Sequence, residues 1–332
     1  MENITIVRES MASWRRHHSK WLPPMPLEKI MEIQQMRIGV DPPLNPHPEF
    51  KVFVWDNPHE FYAAFAMDMT RRILSTFFEK RDLWIIAPTG PVPQWRILAN
   101  NLNELSRTIP RFNLKHVHII MMDEYSDPEG GTPSWDTPGS FQNTIRVNFW
   151  ERLRSDIRMR WEDILFPTWE LIDKIPQIII DGGGVIDVVY GGIGWGLHFA
   201  FVDREAFTSD RWAGRDLEKW KKLRVLKAIE LDASTIYQNA LHTWGSNQWA
   251  VPSHANTIGP ALILGDEEIK VLYRSFWCDG ICGPEMTWQQ MAVHVALYAE
   301  PNPELPATFL KTLPGEINVL KPLDEPIRIV PR

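Results

Sequence analysis

Short, almost wholly apolar segments that alternate with helical segments constrain the fold of this chain more than any other feature. Three of them lie at 83–87 (LWIIA), 117–122 (VHIIMM) and 185–190 (VIDVVY). Strands with continuous apolar content are buried on both faces, which is typical of parallel sheets covered by helices. The sequence therefore predicts an α/β fold of three layers, with a Rossmann-like parallel sheet and helices on both of its faces.

Further elements of the same alternating kind extend this prediction over most of the chain. Strands are predicted at 51–55, 224–231, 261–264, 270–273 and 317–320, and helices at 58–78, 92–106, 141–153 and 288–299. No linker-like composition interrupts this region, so we predict a single domain over residues 49–332. Residues 1–48 are predicted to form an N-terminal arm with a helix at 26–38, because the prolines of 41–48 end any helix there.

Charge and composition exclude several classes of protein. The formal net charge is −7, from 35 Lys and Arg against 42 Asp and Glu, which argues against a nucleic-acid partner. No apolar run approaches the roughly 18 residues of a membrane span, and the first residues lack the apolar core of a secretory signal. The two cysteines, Cys278 and Cys282, are too few for a disulfide framework, so we predict a cytoplasmic protein. Without a nearby His or Cys cluster they also predict no metal site.

Chemically distinctive segments follow three of the predicted strands directly. Residues 88–93 (PTGPVP) follow the first, the pair Asp123 and Glu124 follows the second, and residues 191–198 (GGIGWGLH) follow the third and end in His198. In open α/β sheets, ligands bind outside the carboxyl ends of the strands. We therefore expect a glycine-rich turn, two carboxylates and a histidine to meet at one edge of the sheet.

Asp123, Glu124 and His198 are the residues of these segments that can move protons. A carboxylate becomes an effective base when burial or a second carboxylate raises its pKa, and an imidazole titrates near neutral pH. Each residue also has an ordinary structural interpretation, since an aspartate after a strand often caps a turn or helix. A lone histidine is more often a hydrogen-bonded residue of the interior, so the residue types alone leave both interpretations open.

Four ordered motifs resemble those of the glucosamine-6-phosphate deaminase family. They are PTGPVP at 88–93, MDEY at 122–125, GGIGWGLHFAF at 191–201 and TIG at 257–259, and DEP at 324–326 resembles the end of the family pattern. The resemblance covers residues 51–326 and extends to a wider superfamily that includes the 6-phosphogluconolactonases. It is specific for the fold and less specific for the activity, because one fold supports many functions.

The resemblance implies roles for particular residues. Asp123 would be the base that moves a proton between C2 and C1 of an open-chain amino sugar, with Glu124 acting beside it. His198 would open the sugar ring, and Asp203 occupies the position of a glutamate that orients the histidine. The residues that would bind substrate are Thr89, Gly90, Gly192 and Gly194. Arg204, which stands where the family has proline, is added to them because it could restore a positive charge.

Two departures from the family pattern affect the same site. Gly196 stands where the family places an aspartate beside the histidine, so we expect weaker ring opening unless Asp203 or Glu205 compensates. Asn239 and Gln290 align with the arginine and lysine that hold the phosphate in the family. The substrate is therefore expected to be unphosphorylated, or to have its phosphate held by other groups such as Arg204 or Arg274.

The resulting expectation is an enzyme of amino-sugar or sugar-phosphate chemistry, a deaminase or isomerase that needs no cofactor. Two alternatives stay open: a sugar-binding regulatory protein that has lost the chemistry, and a sugar lactonase, which needs the histidine but not the base of MDEY. The expected partner is a small sugar or sugar phosphate, with no nucleic acid and no membrane. Self-association into a homo-oligomer is also expected.

Overall fold

A computed structural model describes residues 25–280 and 287–327. Its helices are α1 (Leu27–Ile33), α2 (Pro58–Glu79), α3 (Pro93–Thr108), α4 (Phe141–Asn148), α5 (Ile175–Asp181), α6 (Glu205–Thr208), α7 (Leu217–Lys221), α8 (Ala233–Thr243), α9 (Pro260–Leu264) and α10 (Gln290–Tyr298). Its strands are β1 (Phe50–Trp55), β2 (Leu83–Ala87), β3 (Val117–Met121), β4 (Asp123–Ser126), β5 (Ile164–Leu165), β6 (Val185–Ile186), β7 (Val188–Gly191), β8 (Val225–Glu230), β9 (His254–Ile258), β10 (Lys270–Val271), β11 (Arg274–Cys278) and β12 (Gly315–Leu320).

The central sheet of the described residues has seven strands in the order β1-β12-β11-β7-β2-β3-β5, and all of its pairs are parallel. The predicted parallel α/β sheet is confirmed. Because the strands are parallel, their carboxyl ends lie at one edge of the sheet, and the segments after β2, β3, β7 and β11 start from that edge.

Alternate residues of the central strands pack into two separate apolar cores, one on each face of the sheet. Leu83 and Ile85 of β2 belong to the core that contains α2 and α3 residues such as Phe65 and Leu98. Trp84 and Ile86, which point the other way, belong to a larger core. Successive side chains of a strand point to opposite faces, so burial on both faces accounts for the uninterrupted apolar run of β2.

A second, antiparallel sheet with the order β4-β9-β8 stands beside the carboxyl edge, and the sequence did not predict it. The apolar run at 117–122 ends its parallel pairing at Met121, and the chain then changes sheet so that Asp123 opens β4. Asp123 pairs with Thr257 of β9. This change of sheet places Asp123 in a strand that is paired with β9, instead of in a loop.

Several element predictions were wrong in detail, and the helix predicted at 141–153 already ends at Asn148. Residues 261–264, predicted as a strand, belong to the short helix α9, whose first turn begins at Pro260, and a short apolar run does not distinguish a buried strand from a buried helix. The run at 185–190 is broken at Asp187, whose carboxylate accepts hydrogen bonds from the backbone N of Trp84 and from Arg81. The strand predicted at 270–273 is only Lys270–Val271, paired with β6, and the central strand is the next segment, β11.

The described part of the predicted arm packs against the domain. Ile33 and Ile38 are 1% and 3% exposed, and the Arg37 guanidinium lies 3.5 Å from a carboxylate oxygen of Asp324. The helix predicted at 26–38 is shorter, from Leu27 to Ile33. The boundary between arm and domain stays a prediction. Among the described residues, no helix combines the length and the apolar character needed to cross a membrane.

Candidate active site

A cavity of about 380 Å³ opens where β11, β7, β2 and β3 end. Segments from all three predicted loops line it, including Asp123, His198 and the turn 88–93. The glycine-rich turn, one carboxylate and the histidine therefore lie at one edge of the sheet and face the same space. The predicted substrate-binding residues that also line it are Thr89, Gly90, Gly192 and Gly194.

Asp123 presents one carboxylate oxygen to the protein and leaves the other available to the cavity. Its Oδ1 accepts hydrogen bonds from Thr257 Oγ1 at 2.6 Å and from the backbone N of Phe201 at 3.0 Å. Its Oδ2 has no hydrogen-bond partner among the described residues. Burial raises the pKa of Asp123 to about 7, although these hydrogen bonds and the charge of His198 oppose the rise. A carboxylate of this kind is ionised in part at neutral pH and can both accept and return a proton.

Glu124 has a different environment although it is the next residue in the strand. Its Oε1 accepts from the backbone N of Tyr125 at 2.9 Å and of Phe141 at 3.1 Å, and its Oε2 accepts from Gln142 N at 2.8 Å. Phe141 and Gln142 are the first two residues of α4, so the carboxylate caps that helix. The structure thus places Glu124, predicted as a catalytic neighbour of Asp123, in a capping position outside the cavity.

His198 is held by Asp203. The His198 Nδ1 lies 2.5 Å from Asp203 Oδ1, and both side chains are buried. Thr235 Oγ1 donates to Asp203 Oδ2 at 3.0 Å and fixes the carboxylate in turn. Because an ionised carboxylate only accepts, this contact keeps the proton on Nδ1 and leaves Nε2 as the nitrogen that can exchange protons.

The charges of His198 and Asp203 shift the pKa of each other. Burial alone would lower the pKa of His198, but the Asp203 carboxylate outweighs burial and holds the pKa above its ordinary value. Burial would likewise raise the pKa of Asp203, yet the facing imidazole keeps that pKa below its ordinary value. Asp123 also raises the pKa of His198, so the base and the imidazole act on each other electrostatically.

The position of the imidazole requires a glycine at 194 and not at 196. A Cβ built on Gly194 would lie 1.9 Å from His198 Nε2, so any side chain there would displace the ring. A Cβ on Gly196 would lie 2.8 Å from Ser234 Oγ and 3.4 Å from His198 Nδ1. Asp203 makes the contact with Nδ1, and Glu205, the other predicted substitute, forms no hydrogen bond with the histidine among the described residues.

Comparisons with known proteins agree with this geometry at the level of the fold. A monomeric glucosamine-6-phosphate deaminase, described as a missing link of the NagB superfamily, aligns with a TM-score of 0.61 at 18% identity, over 82% of this chain and 98% of that chain. A 6-phosphogluconolactonase from Thermotoga maritima aligns with a TM-score of 0.51 at 15% identity, over 82% and 99% of the two chains. One from Shewanella baltica aligns with a TM-score of 0.53 at 13% identity, over 83% and 98%.

The chain has the NagB-superfamily fold. The resemblance predicted from the motifs is therefore confirmed for the fold, and the activity is a separate question because these identities are low. No protein-family model matches the sequence, and no curated protein matches it in sequence.

On this NagB fold, the two arginines that the sequence suggested as phosphate ligands, Arg204 and Arg274, lie outside the cavity. Arg204 pairs with Glu304 at 2.7 Å and is half exposed outside the cavity, contrary to its predicted place in substrate binding. The buried Arg274 guanidinium donates to backbone oxygens of Ile263, Leu264 and Val271. Among the described residues that line the cavity, none is a lysine or an arginine.

The two positions aligned with the family's phosphate ligands differ from each other. Asn239 of α8 lines the cavity. Gln290 does not, and its side chain contacts Thr287 and the backbone oxygen of Glu325. The described residues contain no group of three or more His, Cys, Asp or Glu side chains that could hold a metal ion. Cys282 lies outside the described residues.

Two titratable residues of the cavity, Asp279 and His242, were not predicted from the sequence. Asp279 follows β11 directly, and its Oδ2 accepts a hydrogen bond from Tyr62 Oη at 2.7 Å. His242 of α8 lies nearby, with its ring 5.0 Å from that of Trp288. The rule that pointed to Asp123 would have pointed to Asp279 as well, had the strand been placed at Arg274–Cys278. The position of α8 over the cavity leaves no comparable signal in the sequence.

Proposed function

We propose that this protein catalyses proton transfer on a sugar, as an isomerase or deaminase of an amino sugar or sugar phosphate. The observation that supports it most is that Asp123 and His198 face one cavity, each already fixed by its own partners on the side away from it. The NagB-superfamily fold, which a glucosamine-6-phosphate deaminase also has, supports the same class of reaction.

The proposed reaction begins with opening of the sugar ring. His198 gives its Nε2 proton to the ring oxygen as the bond between that oxygen and C1 breaks, and the C1 hydroxyl loses its proton to solvent. Asp203 stabilises the imidazolium that supplies the proton. Thr235 and the backbone N of Asp232 already hold the Asp203 carboxylate in place. The free energy needed to form the imidazolium is therefore lower, because the carboxylate does not have to reorient.

The next step moves a proton along the open chain. The free Oδ2 of Asp123 removes the proton from C2, and the electron pair of that C–H bond forms the C1–C2 double bond. The π pair of the C1 carbonyl moves to its oxygen, which takes up a proton from solvent and gives an enol-type intermediate. Asp123 then returns the proton to C1. With an amino group at C2, the product is an imine, and water adds to its carbon and releases ammonia. The Asp123 pKa of about 7 suits both halves of this transfer, because neither the acid nor the base form is rare at neutral pH.

Ammonia release from glucosamine 6-phosphate and from glucosamine tests this proposal, with the reaction run in deuterium oxide. We expect ammonia and a ketose that carries deuterium at C1, because Asp123 exchanges its proton with solvent during the transfer. The rate at low substrate should rise as the pH passes through about 7, where Asp123 loses its proton. Absence of ammonia and of deuterium at either carbon, with both sugars, would contradict the proposal.

A lactonase activity is the second candidate, because two 6-phosphogluconolactonases share the fold with TM-scores above 0.5. Hydrolysis of a sugar lactone needs the imidazole to activate water and does not need a base at position 123. The two candidates separate with Asp123→Asn, which should abolish ammonia release but leave lactone hydrolysis within a few-fold of the unmodified protein.

A further inference from the structure

The cavity has a second acidic group that the proposed proton transfer does not use. Asp279 borders the cavity at the end of β11, two strands away from β2 in the central sheet. Tyr62 donates to its Oδ2, which favours the ionised carboxylate, although burial raises the pKa of Asp279 above its ordinary value. Nothing among the described residues pairs this carboxylate with a lysine or arginine.

The turn after β2 offers few donors to an anion. Backbone N–H groups in such a turn, followed by the start of a helix, can form a phosphate site. Here Pro88, Pro91 and Pro93 have no N–H, and Val92, the residue before α3, has no side-chain hydroxyl. The turn therefore lacks half of the backbone donors that its six positions would otherwise carry.

One other group of the cavity can carry a positive charge, the His198 imidazole, and Asp203 already pairs with that charge. Burial lowers the pKa of His242, so its imidazole is neutral at neutral pH. Asn239 and Gln238 offer amide N–H groups to the cavity, which bind hydroxyl groups without preferring an anion, whereas the Gln289 amide is already bound to the backbone of Gly280 and Ile193. A phosphate dianion buried there would lose its hydration without meeting a lysine or arginine among the described lining residues, and it would share the cavity with the acidic side chains of Asp123 and Asp279.

We propose that the cavity selects a sugar that carries no phosphate, a neutral or amino monosaccharide, and that Asp279 determines this specificity by accepting hydrogen bonds from hydroxyl or ammonium groups and repelling anions. This inference rests on the proposed function and narrows its substrate class. Asp279 is a specificity residue here and takes no part in the proton transfer.

Isothermal titration calorimetry of the full chain with glucosamine, glucosamine 6-phosphate and inorganic phosphate tests this inference. We expect glucosamine to bind at least about tenfold more tightly than its 6-phosphate, and inorganic phosphate not to compete. Asp279→Asn keeps an oxygen that accepts from Tyr62, and it should reduce this preference about tenfold, mainly by improving binding of the 6-phosphate. Asp82→Asn is the matched control, since it removes one carboxylate directly before β2, at the opposite edge of the sheet, and should leave the preference unchanged.

Turnover measured on the same samples separates the two proposals. Tighter binding or faster turnover of the 6-phosphate would overturn the specificity inference and leave the proposed function standing. Preferential binding of glucosamine without any turnover would support the specificity inference and overturn the proposed function. If Asp279→Asn does not fold, Tyr62→Phe removes the donor that favours the ionised Asp279 carboxylate and should lower the preference for glucosamine, and an unchanged or larger preference would count against the role of Asp279. Failure of both sugars to bind would overturn both proposals.

Discussion

Asp123 and Glu124 are adjacent in β4, and burial raises the pKa of each to about 7. They differ in how their oxygens are used. Glu124 accepts three backbone N–H bonds shared between both of its oxygens, and it is completely buried. Asp123 has both of its hydrogen bonds on Oδ1, and Oδ2 is left to the cavity.

This difference shows that an unusual pKa does not by itself identify a catalytic group. Burial shifts both carboxylates in the same direction, because removing a charge from water costs free energy wherever it happens. The free oxygen and the neighbouring His198 distinguish the residue that can act on a ligand. Consecutive residues of a strand point to opposite sides, so one side chain meets the cavity and the other meets the start of α4.

Asp123→Asn should have the largest effect. The amide oxygen can still accept from Thr257 and Phe201, so the fold and the binding of sugar should persist. Turnover should fall by about 10³-fold, because an amide cannot take the proton from C2. Steady-state assays combined with calorimetry would check this, and a variant that retains more than a tenth of the original turnover would refute the assignment of Asp123 as the base.

Glu124→Gln should affect stability instead. A glutamine side chain places an N–H group against one of the backbone donors of Tyr125, Phe141 or Gln142, which leaves a buried donor unpaired and costs about 2 kcal/mol of unfolding free energy. Urea unfolding would measure this loss. Glu129→Gln, an exposed change in the loop after β4, is the control and should shift stability by less than about 0.5 kcal/mol.

The folded fraction of Glu124→Gln should keep turnover within a few-fold of the unmodified protein. If its turnover fell as far as that of Asp123→Asn while its stability was unchanged, the contrast between the two carboxylates would be wrong.

The smallest expected effect is a pH-dependent gain in stability for Asp123→Asn. The folded pKa of Asp123, about 7, lies above its ordinary value of 3.8, so the folded state binds the proton more tightly than the unfolded state. The carboxylate therefore destabilises the fold progressively from about pH 4 to pH 7 and constantly above that. At pH 8, replacement of Asp123 by asparagine should raise the unfolding free energy by about 1 kcal/mol, a figure that allows for screening by solvent in the cavity. At pH 4 it should leave the unfolding free energy unchanged.

Unfolding curves of the two proteins at pH 4 and pH 8 would measure this difference. A variant that is less stable than the unmodified protein at pH 8 would show that the hydrogen bonds to Asp123 outweigh the cost of its burial.

Local patterns were enough to predict the strands and helices whose apolar residues recur at regular intervals or form a continuous run. The apolar run of β2 was placed at its observed residues, and α2 was placed within one residue, because a buried strand and an amphipathic helix each repeat a simple pattern. The five residues of α9 are too few to show such a period, and the N–H of Ala261 in its first turn bonds to the distant backbone oxygen of Leu223.

For the candidate site, position after a strand was the informative signal. Asp123, His198 and the turn at 88–93 were found in this way, since parallel strands bring their carboxyl ends to one edge. Arg204 and Glu124 could not be excluded by the same rule, because adjacency in sequence does not say which way a side chain points. Asp279 was missed because a strand boundary was misplaced by a few residues.

The sequence by itself determined the parallel sheet, the edge at which the cavity lies and the proton-transfer groups available there, because these depend on short-range periodicity and on which residue follows each strand. Only the tertiary structure decided which carboxylate faces the cavity, which one caps a helix, and that Thr235 of α8 fixes the Asp203 carboxylate beside the histidine. Those outcomes depend on the antiparallel sheet and on α8, whose contacts join residues far apart in the chain. Contacts of that range leave no periodic pattern along the sequence.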